Sequence, residues 1–160
     1  MSARGKTRKE TAMARKLAVV LVVTLSVAWS GPALADHVKD GRPLHRIVFQ
    51  MNEDNPNLWS LMLNNINNVI AEMGKDHVEI KVVAYGPGIN MFRKDRSNVL
   101  DRLESLKKFA GKSVEYTVCS NTLKAMKVDR QDIVEFVDDL YPGIVRIIEL
   151  QEKGYVYLRP

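Results

Sequence analysis

The chain has 160 residues, with 24 Lys and Arg against 19 Asp and Glu, three His and one Cys. That length suits one modest α/β or α+β domain, and 46% apolar with 27% charged residues excludes a disordered polymer. A single thiol excludes a disulfide-stapled scaffold and a Cys-based zinc module.

The formal charge of +5 suggests nucleic acid only until it is located. Arg4, Lys6, Arg8, Lys9, Arg15 and Lys16, with the one acid Glu10, fall within residues 1–35, so 18 bases face 18 acids afterwards. The neutral remainder has no excess to attract phosphates, and no nucleic-acid partner is expected. Residues 1–35 have the layout of a secretory signal: a basic stretch ending Arg15-Lys16, an uncharged run from Leu17 to Trp29, the breakers Gly31-Pro32, then Ala33-Leu34-Ala35. That run of 13 residues is short of the roughly 18 to 20 that a bilayer requires. Cleavage is expected after Ala35, releasing a chain of 125 residues into an oxidising space such as a periplasm, with no membrane association afterwards.

Residues 36–45 are polar, contain Gly41 and Pro43, and read as a loose leader. Arg46 to Met51 is a short apolar run and the first strand. Asn55 stands as a helix N-cap with Pro56 at the first helical position, and Leu58, Met62, Ile66, Val69, Ile70 and Met73 recur at helical spacing until Gly74. Val78 to Tyr85 reads as a strand entering a buried sheet, closed by Gly86-Pro87-Gly88, with a loop through Arg96. Val99, Leu100, Leu103, Leu106 and Ala110 form a second helical stripe, supported by the Glu104/Lys108 pair and stopped at Gly111.

Ser113 to Val118 is the third strand, with Cys119 at its carboxyl end, and Ser120-Asn121-Thr122 offer capping side chains to a short helix beginning near Leu123. Glu135 to Tyr141 is a fourth strand spoiled by Asp138-Asp139. Ile144 to Leu150 is rich in β-branched residues, yet Arg146, Glu149 and Lys153 fall at helical spacing between Pro142 and Gly154, which makes it a helix. Tyr155 to Leu158 is the last strand. Strands alternating with helices in so short a chain imply one mainly parallel sheet covered on both faces, with its sites at the carboxyl ends of the strands. Those ends are Asn52 to Asn55, Tyr85 to Met91 and Cys119 to Thr122.

Cys119 is the strongest chemical candidate, because a thiol between a strand and a helix meets unpaired N–H groups that favour the thiolate. A buried packing cysteine is the alternative. Gly86 and Gly88 could let a ligand approach backbone closely, although a Gly-Pro-Gly turn is mostly just a turn and has no phosphate-loop spacing. Asn55 joins them as a strand-end binding candidate. Glu53 and Asp54 put negative charge where a flavin or nucleotide would need donors, which argues against that cofactor class, and no cofactor is expected. His37, His45 and His77 share no ligand spacing, so no metal is expected either.

The runs Val118-Cys119-Ser120-Asn121-Thr122-Leu123, Tyr141-Pro142-Gly143-Ile144-Val145 and Glu149-Leu150-Gln151-Glu152-Lys153-Gly154-Tyr155, with Tyr85-Gly86-Pro87-Gly88-Ile89 upstream, resemble the DsrE/DsrF family over about Arg46 to Pro160. The resemblance implies a three-layer α/β/α domain over 46–160 with a five-stranded mainly parallel sheet, assembling as a homotrimer or hexamer. It implies sulfur-donor and sulfur-acceptor protein partners and relay of sulfur as a cysteine persulfide. By position Cys119 matches the family cysteine, and Asn121 and Thr122 match the polar pair after it. Relatives of that kind work in the cytoplasm, and an export signal separates this chain from their partners. The leading expectation is an exported sulfur carrier or thiol-redox protein acting through Cys119. The competing one is a non-catalytic oligomeric scaffold in which Cys119 only packs.

Overall fold

A computed structural model describes residues 38, 39 and 41–160. The expected signal segment, 1–35, lies outside them, as does His37. A two-residue hairpin opens the described chain: β1 (Val38–Lys39) pairs antiparallel with β2 (Arg42–Pro43) around Gly41, whose φ of 76° lies in the left-handed region that glycine tolerates.

The main domain then alternates β3 (His45–Met51), α1 (Pro56–Met73), β4 (Val78–Ala84), α2 (Leu100–Ala110), β5 (Val114–Cys119), α3 (Ser120–Met126), β6 (Asp139–Tyr141), α4 (Gly143–Glu152) and β7 (Val156–Leu158). The five strands of the sheet stand in the order β6-β5-β4-β3-β7, and every pairing is parallel. The architecture is the expected α/β one.

Strand order and helix placement share a cause. Parallel crossovers are right-handed in nearly all proteins. The path β3 to β4 to β5 to β6 steps in one direction, so its connections cover one face. The return from β6 to β7, beyond β3, must cover the other. Strand alternation supplies both faces with apolar side chains. Ile47, Phe49, Met51, Ile80, Val82, Val114, Tyr116 and Val118 pack with α1 and α2 in the larger core. Val48 and Val83 lie on the second face against Ile147 and Leu150 of α4.

The local signals hold in detail. Asn55 is extended at φ −137°, its Oδ1 accepts from the N–H groups of Asn57 at 3.0 Å and Leu58 at 3.4 Å, and Gly74 closes α1 at φ 87°. The buried stripe of α1 also includes Trp59 and Leu63; Trp59 Nε1 donates to Glu53 O at 2.9 Å, while Met73 is exposed.

The leader 36–45, read from the sequence as loose, holds the β1–β2 hairpin and the start of β3 at His45, and three segments further on also differ from the sequence reading. Residues expected as an open loop after β4 form a 3-10 helix, Gly86–Phe92, and Ile89, Met91 and Phe92 in it are fully buried. The missing helical periodicity hid its role as core. The fourth strand shrinks to Asp139–Tyr141, because Asp138 is taken by other bonds: its carboxylate accepts from Tyr116 N–H at 2.8 Å and from Lys107 Nζ at 2.6 Å. Finally, α3 begins at Ser120 and not near Leu123. Among the described residues no helix is long and apolar enough to cross a membrane.

Candidate functional site

The early start of α3 changes the position of the thiol. With Ser120, Asn121 and Thr122 already forming the first helical turn, Cys119 occupies the N-cap position, extended at φ −67° and ψ 113°. A residue there directs its side chain toward the N–H groups of the second and third helical residues, which are Asn121 and Thr122. The turn residues expected to cap the helix are thus the donors, and the cysteine is what they face.

A second helix reaches the same sulfur. Cys119 is the last residue of β5 and pairs with Tyr141 of β6, and α4 begins two residues beyond Tyr141. The Gly143 N–H donates to Cys119 Sγ at 3.2 Å, across 24 residues of sequence. Gly143 is tightly enclosed: an added Cβ would stand 3.0 Å from Tyr85 Cβ, 3.2 Å from Cys119 Cβ and 3.5 Å from the sulfur, so a side chain there would require these neighbours to shift.

The bond from Gly143 is the one with full hydrogen-bond geometry. The α3 cap itself is not closed by a side-chain hydrogen bond, yet the α3 donors still act on the sulfur at their distance. Burial pushes the thiol pKa up, as desolvation disfavours the charged form. The Thr122 side chain and the N–H groups of Gly143, Thr122 and Asn121 together outweigh it, so the thiol is held below its ordinary value. Cys119 as a whole is 6% exposed.

Thr122 is fixed from outside its own helix. Its Oγ1 accepts from the Gly86 N–H at 2.9 Å. Gly86 sits at φ 52°, and Gly88 lies so close to the end of β3 that a Cβ there would be 2.3 Å from Met51 O. Gly86 is therefore one hydrogen bond removed from the cysteine environment through Thr122. Gly88 locks the turn onto β3, and Asn55 is occupied in capping α1. Glu53 is bridged by Arg159 Nη2 at 2.7 Å and Asp54 accepts from Asn90 Nδ2 at 2.8 Å, so both acids of the first strand end are engaged.

The sequence reading did not select Gly143, Tyr85 or Tyr141 as site residues. Burial raises the Tyr85 phenol. Tyr141 donates from its hydroxyl to Glu149 Oε1 at 2.8 Å beneath the Arg146 guanidinium, which lies 4.3 Å from the ring centroid. A Pro-Gly pair opening a helix straight after a strand was the available signal for Gly143, since it puts free N–H groups at the sheet's carboxyl edge. Among the described residues no group of three His, Cys, Asp or Glu could hold a metal ion.

A small parallel α/β domain presenting one polarised cysteine to two helix N-termini defines a class of thiol protein. The chain belongs to the DsrE/DsrF-like family, whose profile matches residues 46–160. It is similar to the solved structure of a protein of unknown function, MTH1491, from Methanobacterium thermoautotrophicum. The two share 35% identity and a TM-score of 0.65, over 72% of this chain and 99% of that one. No curated protein sequence matches the chain. Family membership points to sulfur-relay-type function in general.

Proposed function

We propose that the chain is an exported sulfur carrier that works through Cys119. The observation that carries this reading is the set of donors around the sulfur, with Gly143 N–H at 3.2 Å and a thiol held below its ordinary pKa. The Cys119 thiolate attacks the outer sulfur of a donor persulfide, R–S–SH. The new S–S bond forms on Cys119, the donor's S–S bond breaks, and the donor leaves as R–S⁻, so no external oxidant is consumed. An acceptor thiolate then takes the outer sulfur and Cys119 leaves as thiolate, which the same N–H groups stabilise. An exposure of 6% favours a slender sulfur tail over a bulky disulfide. Export rests on the pattern of residues 1–35 and an oxidising compartment on that export. Self-assembly is part of the same proposal, supported by the exposed apolar residues Ile144, Val145 and Ile148 on α4.

The test is incubation of the purified protein with persulfide and thiosulfate donors, whose sulfane sulfur transfers with a thiolate or sulfite as leaving group, followed by intact-mass measurement. Wild type is expected to gain the mass of one sulfur atom, with no gain in Cys119→Ser. No gain in wild type with any donor overturns the carrier reading. The same burial supports a second reading, a scaffold in which Cys119 only packs. Slow native labelling by a small thiol reagent and unchanged assembly in Cys119→Ser would favour it; fast labelling would exclude it.

A further inference from the structure

We propose that Tyr141 is the specificity-determining residue of this site: its ring, clamped on the edge strand by Arg146 and Glu149, walls the Cys119 sulfur so that a terminal persulfide reaches it and a bulky disulfide does not. The inference rests on the reading of Cys119 as a working thiolate and deepens it by naming the class of sulfur compound that the site admits.

Cys119 and Tyr141 are Cα partners in the parallel ladder of β5 and β6. Residues so paired put their side chains on the same face of the sheet, and neighbouring strands lie about 4.8 Å apart. The contacts of each residue agree with a shared face. Cys119 Sγ accepts from the N–H of Gly143, the first residue of α4, and the Tyr141 ring lies under Arg146 of the same helix. On the other side of β5, Ala84 of β4 pairs with Val118, so Tyr85 follows at the level of Cys119, and its Cβ is 3.0 Å from where a Cβ of Gly143 would stand. The sulfur therefore has a tyrosine on either flank and the start of α4 above it. The two flanks differ. Tyr85 packs into the apolar cluster of Val48, Val83, Ile147 and Leu150, whereas β6 is the last strand of the sheet among the described residues, so on that side Tyr141 stands between the sulfur and solvent.

Tyr141 is held where it stands. Its hydroxyl donates to Glu149 Oε1 at 2.8 Å, and the Arg146 guanidinium lies 4.3 Å from its ring centroid. Arg146 is in turn paired with Asp139 and, at 3.5 Å, with Glu149 Oε2. A guanidinium and two carboxylates thus fix a ring that partial exposure would otherwise leave free to change rotamer. Sulfur chemistry turns the wall into a filter. In attack on R–S–S–R the thiolate must reach a sulfur that carries R; Cys119–S–S–R forms, R–S⁻ leaves, and one R has to fit beside Cys119. In attack on the outer sulfur of R–S–SH the transferred atom carries only hydrogen; Cys119–S–SH forms and R–S⁻ leaves outward. The first reaction needs room on the flank of the sulfur, and the second does not.

The experiment compares the rates at which Cys119 in the purified, folded protein reacts with a small reagent, methyl methanethiosulfonate, and a bulky neutral disulfide, 4,4′-dithiodipyridine. Wild type, Tyr141→Ala and Tyr141→Phe are measured, with folding checked by circular dichroism and melting temperature. Tyr141→Ala is expected to speed the dithiodipyridine reaction by roughly tenfold or more, with the small reagent changed by no more than about twofold. Tyr141→Phe, which keeps the ring beneath Arg146, is expected to keep the wild-type ratio of the two rates. An unmoved ratio in folded Tyr141→Ala overturns the proposal, and so does an equal rise for both reagents, which a merely structural role would produce. A Tyr141→Phe ratio equal to that of Tyr141→Ala overturns the ring as the wall. Should Tyr141→Ala fail to fold, Tyr141→Leu takes its place with the same outcomes. Sulfur loading of wild type is read separately by mass. A shifted ratio with no loading leaves Tyr141 in its role and removes the carrier function, whereas loading with an unmoved ratio does the reverse; wild type inert to both reagents and to loading overturns both.

Discussion

At Cys119 two opposed effects act on one atom. Removing the thiol from water favours the neutral form, and the donors from Thr122, Gly143 and Asn121 favour the anion, with the donors prevailing. The balance has a thermodynamic consequence with a definite sign. A folded-state pKa below the unfolded one means that the native state binds the thiolate environment more favourably. The resulting stability is fully present above the ordinary thiol value of about 8.5 and is lost as pH falls through the folded value. The melting-temperature difference between wild type and Cys119→Ser is therefore expected to widen in favour of wild type from about pH 6 to about pH 9. A difference that stays flat across that interval contradicts the donor set. Gly143 shows the same economy of space: the N–H that meets the sulfur comes from a glycine, where a Cβ would press on Tyr85 at 3.0 Å and on Cys119 at 3.2 Å.

Among the elements, α1 shows how a side chain can be mistaken for a ligand-binding group. Asn55 stands at the carboxyl end of β3, where parallel sheets collect their ligands, but its Oδ1 is taken up by the N–H groups of Asn57 and Leu58. Asn55→Ala is expected to lower unfolding free energy by about 1 kcal/mol in urea titration while leaving sulfur loading unchanged. Lost loading in a stable variant would return Asn55 to the site. The 3-10 helix Gly86–Phe92 makes the complementary point. Its Ile89, Met91 and Phe92 are as deeply buried as any strand residue, yet a 3-10 run has neither the period of an α-helix nor that of a strand. In α4 the two sides differ: Ile147 and Leu150 face the sheet, whereas Ile144, Val145 and Ile148 are 44–52% exposed.

Over the whole molecule, the two faces of the sheet are unequally covered. Among the described residues one lies under α1 and α2, and the other has α4 alone, with the ion pairs Arg46–Glu79 at 3.0 Å and Lys81–Glu115 at 2.7 Å on its outer part. Half-buried charges beside exposed aliphatic residues suit a face that meets another chain. Ile148→Glu is expected to reduce the assembled fraction in sedimentation velocity without lowering the melting temperature, because Ile148 contributes little to the monomer core. Wild type that sediments as a monomer at every concentration would dispose of the assembly proposal.

The strand–helix alternation, the Asn55 cap, the stop at Gly74 and the place of Cys119 at a strand end were all legible from residue order, because each depends on side chains within a few positions. Even α4, with its β-branched residues, was readable from the spacing of its charges. The donors around the sulfur were only partly legible: Asn121 and Thr122 are adjacent to it, but Gly143 and Gly86 are not. Their meeting depends on strand order. Because β7 joins the sheet beyond β3, right-handed crossing sends α4 back over the second face and brings its first N–H to the end of β5. Periodicity and capping are local and can be read along the chain; the direction in which a distant N–H points is settled only when the sheet closes its ladder.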